Sequence, residues 1–515
     1  MDNNTFLEEL NANMPRFSIQ SSNIEILDSP TKFHDVLIAK ILSATRRIFL
    51  TSLYIGSDAH VLRHTLRKAL RSNAQLKLYL LIDKLRGSRA DPGCSDRSRT
   101  CISLLTTLVQ EFGAHRVEIR CYQTPKLRGL WRCFVPERLN EGFGLQHIKL
   151  CGVDDEVIVT GANLSQEYFT NREDRYYVFC SEELTDYFHS LVVALGQFSY
   201  LLSSSTTDIT GCGEHGFEWP STNYTRLPLD KTEMVEIQCA ARHHLIPILW
   251  RHSWEHLPFP TPLLQNKPLI RETLGDEDTV VYPLAQLAPL LGAYDTISKR
   301  PLSTHEWALS HLLAILPRCS SWTLSTPYLS FPDRFSDTLL SPDSKENYRP
   351  VTAASATNTG SIVTAAPEAM SFYGARGLAG YIPRAFTGEA KKLLQRIAQR
   401  GSSLRILQWK RGIAHESGGW TFHAKGWWVN CDGSDPTDAA AGESEASSMV
   451  MVGSSNYGQR SFTLDLEVDI LLVTTNRDLK QRMNEERERI LARSEQITTE
   501  RINKGVSLRA LWFGS

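Results

Sequence analysis

The sequence predicts an α/β protein built twice over, each copy a mixed β-sheet flanked by helices. Two observations predict it. Apolar runs of strand length alternate with helix-spaced segments in both halves, and one polar pattern occurs twice in register. At 515 residues the chain is too long for one small core, which agrees with a duplicated unit. Lys plus Arg number 56 against 57 Asp plus Glu, so net charge announces no nucleic-acid partner.

The elements follow in chain order. MDNNTFLEELNANMPRF places three acids before its first Arg, so it reads as neither a signal peptide nor a basic presequence. RRIFLTSLYIG (46–56), LKLYLLID (76–83) and VEIRCY (117–122) are β-rich, and SDAHVLRHTLRKALRS carries helical spacing. SLVVALGQFSYLL (190–202) is shorter than the roughly 18 to 20 apolar residues of a spanning helix and is interrupted by Gln197, so it reads as a core helix. A Gly/Ser/Thr/Pro-rich region around 204–228 marks the boundary, dividing the chain into 1–215 and 216–515.

In the second copy SSWTLSTPYLS (320–330) matches the first strand, with Tyr54 and Tyr328 displaced by 274. GEAKKLLQRIAQRG reads as a helix and LRILQW (404–409) as a strand. CDGSDPTDAAAGESEASS (431–448) has little to bury and reads as a surface loop. The charged run 477–505 reads as a solvated terminal helix laced with i, i+4 pairs. Ten cysteines occur without a CxxC pair, which argues against a zinc ribbon or a disulfide scaffold and fits a reducing compartment. HVLRH (60–64) and HSWEH (252–256) hold histidines at i, i+4, but with no third ligand and no HExxH they read as surface residues, and no metal is expected.

The repeated polar set carries the chemistry. His147 and His423, like Lys149 and Lys425, are displaced by 276; Asn163 and Asn456, like Asp174 and Glu467, are displaced by 293. The difference of 17 falls inside the 431–448 loop. About one H-x-K is expected by chance in a chain this size. A second in register, each followed by an Asn and an acid, makes coincidence a poor account.

In a strand, residues i and i+2 share a face, so each His and Lys project together. A neutral imidazole can attack an electrophilic phosphorus while the ammonium holds its non-bridging oxygens. Asn163 and Asn456 can donate to those oxygens, and Asp174 and Glu467 can orient an imidazole through its second nitrogen. Which acid serves which histidine is open at this level. KLRGSR (84–89) offers Arg86 and Arg89, and FYGARG (372–377) offers Tyr373 and Arg376, as anion-binding loops for phosphate-bearing substrates.

With Asp154 included, the first motif is H-x-K-x4-D and resembles the paired signatures of the phospholipase D superfamily, over nearly the whole chain. LIDKLRGSR (81–89), the stretch 137–176, FYGARGLAGYIP and TFHAKGWW are similar to its eukaryotic phosphatidylglycerophosphate synthase branch. The second motif departs, with Asn430 where the superfamily has Asp. The resemblance implies a duplicated phospholipase D-type sandwich with one active site at the pseudo-twofold interface. It also implies cofactor-free phosphatidyl transfer from CDP-diacylglycerol to glycerol 3-phosphate, with Asp154 completing the catalytic set.

His147, in the complete motif, is the expected nucleophile and His423 the expected acid/base. The order is not settled by sequence. Peripheral placement on the mitochondrial inner membrane is implied as well. PKLRGLWRCFVPERL (125–139) mixes basic residues with Trp131 and Phe134, as a contact with an anionic membrane surface would; packing of both aromatics into the core is the competing reading. The alternatives are phosphatidylserine synthase, cardiolipin synthase or a hydrolytic phospholipase D on the same fold, a nucleic-acid phosphodiesterase, and a catalytically dead scaffold.

Overall fold

The computed structural model describes residues 3–90, 100–127, 140–203, 216–227, 232–251, 278–295, 298–316, 319–340, 359–431 and 447–498. Within them the first copy supplies β2 (Ile24–Leu27), β3 (Arg47–Ser52), β4 (Lys77–Asp83), β5 (Val117–Tyr122), β6 (Leu150–Val153), β7 (Glu156–Thr160), β9 (Tyr176–Cys180), β10 (Tyr200–Leu202) and β11 (Phe217–Glu218). The second supplies β12 (Thr279–Gln286), β13 (Ser321–Ser325), β14 (Thr359–Ala365), β15 (Arg405–Trp409), β17 (Gly426–Asn430), β18 (Met449–Gly453), β19 (Glu467–Thr474) and β20 (Ser494–Gln496). Two short strands, β8 (Arg172–Glu173) and β16 (Thr421–Phe422), pair with each other across the copies, and β1 (Phe17–Ser18) joins the second sheet.

The two nine-stranded sheets have one topology. The first runs β2-β9-β7-β6-β3-β4-β5-β10-β11, and the second β1-β12-β19-β18-β17-β13-β14-β15-β20. From β2 and β12 onward the orders correspond strand for strand. In each, the three strands β3-β4-β5 or β13-β14-β15 are parallel and most other pairs antiparallel, the mixed sheet expected. The inner strands are buried over most of their length, β4 from Leu78 to Asp83, as continuous apolar runs such as LYLLI require when both faces are covered. The larger core is common to both sheets, taking Phe49, Leu150 and Tyr177 from one and Val281, Trp427 and Ile470 from the other.

Local chemistry sets the element ends. Ser29 accepts a hydrogen bond from Lys32 N–H ahead of Pro30, starting the helix Pro30–Ser43, and Ser181 caps Glu182–Gly196 in the same way. Three expectations are corrected. The apolar window 190–202 is not one helix: the helix closes at Gly196, and Tyr200–Leu202 leave it to pair with β5. Among its described residues, 477–498, the charged run is helical over Arg477–Leu491; it buries Leu479, Met483, Glu486 and Ile490, then turns into β20 against β15. Cys319 and Cys431 form a disulfide between the start of β13 and the end of β17, a link that scattered spacing cannot reveal. Positions 432–446 of the low-complexity segment, Trp131, Phe134, and the 252–256 histidines lie outside the described residues.

Candidate active site

Each H-x-K segment lies just before its strand rather than inside it, which corrects the strand placement. The reason is a sideways pairing with the other copy. His147 N–H donates to Leu466 O (2.9 Å), and His423 N–H donates to Glu173 O (2.8 Å). The strands β6 and β17 begin only at Leu150 and Gly426. Both motifs are thereby drawn to the seam between the sheets.

At the seam the acids cross over. Nδ1 of His147 is 2.9 and 3.0 Å from the two carboxylate oxygens of Glu467, and Nδ1 of His423 is 2.7 Å from Asp174 Oδ2. Each imidazole is thus oriented by the carboxylate of the opposite copy. The lysines brace the backbone, Lys149 Nζ donating to His147 O (2.6 Å) and Lys425 Nζ to His423 O (2.8 Å). Lys425 Nζ also lies 2.7 Å from His423 Nδ1 and 3.8 Å from Asp174. A side chain at Gly161 would run into Asp174 Oδ1 and Lys425 Nζ, so this backbone must stay bare for the cluster to close.

Burial governs the protonation states. It holds both imidazoles well below their usual pKa, helped at His147 by Lys149 and at His423 by Lys425. It lowers Lys149 to about 7 and Lys425 to about 8 and raises Asp174 to about 6, while Glu467 is pushed well above the carboxylate range. A histidine neutral at neutral pH suits a nucleophile, and the negative charge of a bound phosphate favours the imidazolium form that proton donation by the other requires. A phosphate beside them favours the protonated form of both lysines.

The remaining expectations divide. Asn163 Nδ2 donates to Tyr168 Oη (3.0 Å), and Asn456 fixes its loop through N–H to Ser461 Oγ (3.1 Å). The buried Oδ1 atoms of both asparagines lack a partner among the described residues, leaving two acceptors at the site. Asp154, expected in the catalytic set, holds a turn in this structure. It lies at the far end of β6 with φ 49°, and its carboxylate accepts from the backbone N–H of Thr45, Arg46 and Arg47. Asn430 occupies the corresponding corner, its carbonyl accepting from Ser320.

Arg86 lies over the Tyr54 ring at 4.2 Å, whereas Arg89 pairs with Glu141 at 2.8 Å. Arg376 is exposed on its loop beside half-buried Tyr373. That loop approaches the site through Tyr328, which bonds Ser371, packs on Phe386 at 5.2 Å and lies 6.5 Å from the His423 ring. His60 and His64 are exposed, and among the described residues no group of three metal-binding side chains gathers.

Sequence reasoning missed Tyr168, Arg172, Arg175 and Glu486. Tyr168 Oη is 3.3 Å from His423 Nε2, and Arg172 lies over the Tyr168 ring at 4.3 Å while donating to Thr421 Oγ1. Arg175 is fully buried between the copies, bonded twice to Glu486 (2.8 and 3.0 Å) and to the carbonyls of Lys425 and Met451. The available signal was position: Arg175 follows Asp174 directly, and Tyr168 stands in register with Ser461.

No family model matches the chain. Among curated proteins it is 33% identical over 501 residues to a CDP-diacylglycerol–glycerol-3-phosphate 3-phosphatidyltransferase of Saccharomyces cerevisiae, covering 96% of this chain and 87% of that one. Mitochondrial enzymes of the same name from Mus musculus and Homo sapiens are 32% and 31% identical, covering 94% and 97% of this chain and 80% and 82% of theirs. Among solved structures, phosphatidylserine synthase of Haemophilus influenzae superposes with a TM-score of 0.63 at 18% identity, over 99% of this chain and 97% of its own. That likeness speaks for the fold.

Proposed function

The chain belongs to the family of CDP-diacylglycerol–glycerol-3-phosphate 3-phosphatidyltransferases, and from that premise we propose that it transfers the phosphatidyl group through a covalent phosphohistidine. It makes phosphatidylglycerophosphate and CMP from CDP-diacylglycerol and glycerol 3-phosphate. The observation that carries the covalent route is the crossed pairing. Glu467 and Asp174 each engage an Nδ1, so Nε2 of each histidine is the nitrogen left for chemistry.

In the first step Nε2 of His147 attacks the phosphatidyl phosphorus. The bond to the CMP phosphate oxygen breaks, and that oxygen takes the proton from Nε2–H of His423. In the second step Nε2 of His423 takes the proton of a glycerol 3-phosphate hydroxyl. The hydroxyl oxygen bonds phosphorus, and the P–N electron pair returns to His147. Lys149 and Lys425 offset charge on the non-bridging oxygens. Arg86, with Arg89 and the Tyr373–Arg376 loop, is read as the wider phosphate-binding rim.

The division into 1–215 and 216–515 is read as two phospholipase D-like repeats sharing this site. The acyl chains of the donor stay in a bilayer, and among the described residues no helix is long and apolar enough to cross one. The enzyme is therefore read as peripheral on an anionic mitochondrial membrane. Trp427 and Trp428 are fully buried and offer no surface for that contact. Tyr381, 62% exposed with Arg384 over its ring, sits on the loop that reaches Tyr328 and is the better interfacial residue.

Incubation with CDP-diacylglycerol and a panel of acceptors tests the reading. Multiple turnover, with CMP and phosphatidylglycerophosphate formed together, is expected only with glycerol 3-phosphate; without an acceptor CMP release should stop at about one per enzyme. CMP with phosphatidic acid means hydrolysis, and a product with serine means the phosphatidylserine synthase alternative.

A further inference from the structure

We infer that Tyr168 is a positioning residue that makes the two histidines inequivalent, holding His423 for proton transfer and leaving His147 as the nucleophile. The inference rests on the phosphatidyl-transfer reading and goes beyond it. A duplicated fold should deliver two interchangeable imidazoles. The pseudo-equivalent positions show where the equivalence breaks.

Position 168 corresponds to position 461 by the offset of 293, and the residues there differ, Tyr against Ser. Ser461 turns to its own copy and donates to Glu467 Oε1 (3.1 Å). Tyr168 instead reaches across the seam, its ring edge-on to His423 at 82° and 5.1 Å and its hydroxyl 3.3 Å from Nε2. Asn163 donates to the phenol oxygen at 3.0 Å, which leaves the phenol proton for the imidazole. Among the described residues no hydrogen bond reaches Nε2 of His147, whose side chain is 12% exposed against 6% for His423.

The flanking charges are inverted as well. Glu167 and Arg172 pair beside Tyr168, and at the same positions of the second copy Arg460 and Asp465 pair with the signs exchanged. Arg172 bonds Thr421 Oγ1, and Asp465 accepts from Leu145 N–H; Thr421 and Leu145 are themselves equivalent by 276. The guanidinium of Arg172 packs on the Tyr168 ring. Asp465 offers no such support to Ser461.

The chemical consequence follows from geometry. A nucleophile needs its lone pair open along the line to phosphorus, and a hydroxyl at hydrogen-bond distance from Nε2 stands in that line. Proton exchange with a leaving or entering oxygen is compatible with such a neighbour, because the hydroxyl can donate to the neutral ring and accept from the protonated one. No net proton passes to Tyr168, whose burial keeps it a phenol. The groups facing His423 are Asp174, Lys425, Lys149, Arg172, His147, Tyr168 and Tyr328. Lys425 Nζ also lies 3.3 Å from Nε2; of the groups facing that nitrogen, Tyr168 alone offers it a neutral hydroxyl.

The test uses the full chain with CDP-diacylglycerol and no acceptor, followed by alkaline denaturation and mass mapping of the adduct. The pH profile of kcat/KM is measured alongside. The wild type should carry the phosphatidyl group on His147. Tyr168→Phe should keep the adduct there, lose about 10- to 100-fold in kcat, and move the basic limb of the profile to higher pH. The sign follows because the lost hydrogen bond favoured neutral His423. Tyr168→Ser, which restores the symmetric residue, should let part of the adduct appear on His423. A wild-type adduct on His423, or Tyr168→Phe with an unmoved limb and unchanged kcat, overturns the inference. If the wild type forms no adduct at all, the covalent reading itself fails and this inference with it.

Discussion

At the scale of single residues, the carboxylates that orient the histidines are separable from the aspartate that completes the sequence motif. Glu467 and Asp174 touch imidazoles; Asp154 touches the backbone at the far end of β6. Glu467→Gln or Asp174→Asn should therefore lower kcat by about 10²- to 10⁴-fold with a folded protein, as loss of the orienting carboxylate does in hydrolase triads. A change below threefold in steady-state assays would remove these acids from the mechanism. Asp154→Asn should do the reverse, lowering the melting temperature while sparing kcat. Partial burial works against ionisation of Asp154, but bonds from the N–H groups of Arg47, Thr45 and Arg46 prevail and hold its pKa low. A depressed carboxyl contributes stability above the usual carboxylate pKa and loses it as pH falls through the folded value. The melting-temperature gap between wild type and Asp154→Asn should therefore be full above about pH 4 and close below it. A gap that persists at the lowest pH would assign the effect to packing.

At the scale of elements, the two copies secure the same corner by different chemistry. In the first, the Asp154 carboxylate ties the lead-in of β3 through Thr45 to Arg47. In the second, Asn430 cannot carry that charge, and Cys319 and Cys431, equivalent to Thr45 and Asp155 by the offsets 274 and 276, are bridged. The bond closes a separation of 112 residues, for which chain entropy sets a ceiling of about 5 kcal/mol and disulfides typically contribute about 2–4 kcal/mol. Cys319→Ser, or the wild type under reductant, should unfold at correspondingly lower urea concentration. Turnover at 25 °C should be retained, because the corner lies at the opposite end of β17 from His423. Unchanged urea unfolding would deny the bond this role. Element positions were readable from periodicity, since β4, β5 and β15 fall within one residue of the apolar runs and β3 occupies the first part of 46–56. The end of helix Glu182–Gly196 and the turn into β20 were not, because strand partners distant in sequence decide them.

At the scale of the molecule, neither copy contains a complete site. His147 takes its acid from β19, His423 takes its acid from the segment before β9, and Arg175 clamps the carbonyls of Lys425 and Met451 to Glu486 on the last described helix. The amino-terminal helix Asn3–Asn13 and β1 also lie with the second copy, Asn11 accepting from Tyr282 Oη and Phe17–Ser18 pairing with β12. Fragments 1–215 and 216–515 should each be inactive alone, and mixing them should restore activity with second-order concentration dependence. Turnover by either fragment by itself would refute the shared site.

The sequence by itself determined the duplication, the mixed α/β class, the four repeated polar positions and the odd corner at Asn430. Those are properties of spacing and residue type, which survive without coordinates. Only the tertiary structure decided which acid serves which histidine, since the crossed pairs are separated by 320 and 249 residues and no periodicity links them. It also decided that Asp154 holds a turn, that Arg175 and Glu486 neutralise each other in the core, and that Tyr168 reaches across the seam. Each of these depends on where a side chain ends after two sheets have packed. That placement is a property of the assembled core rather than of any local stretch of chain.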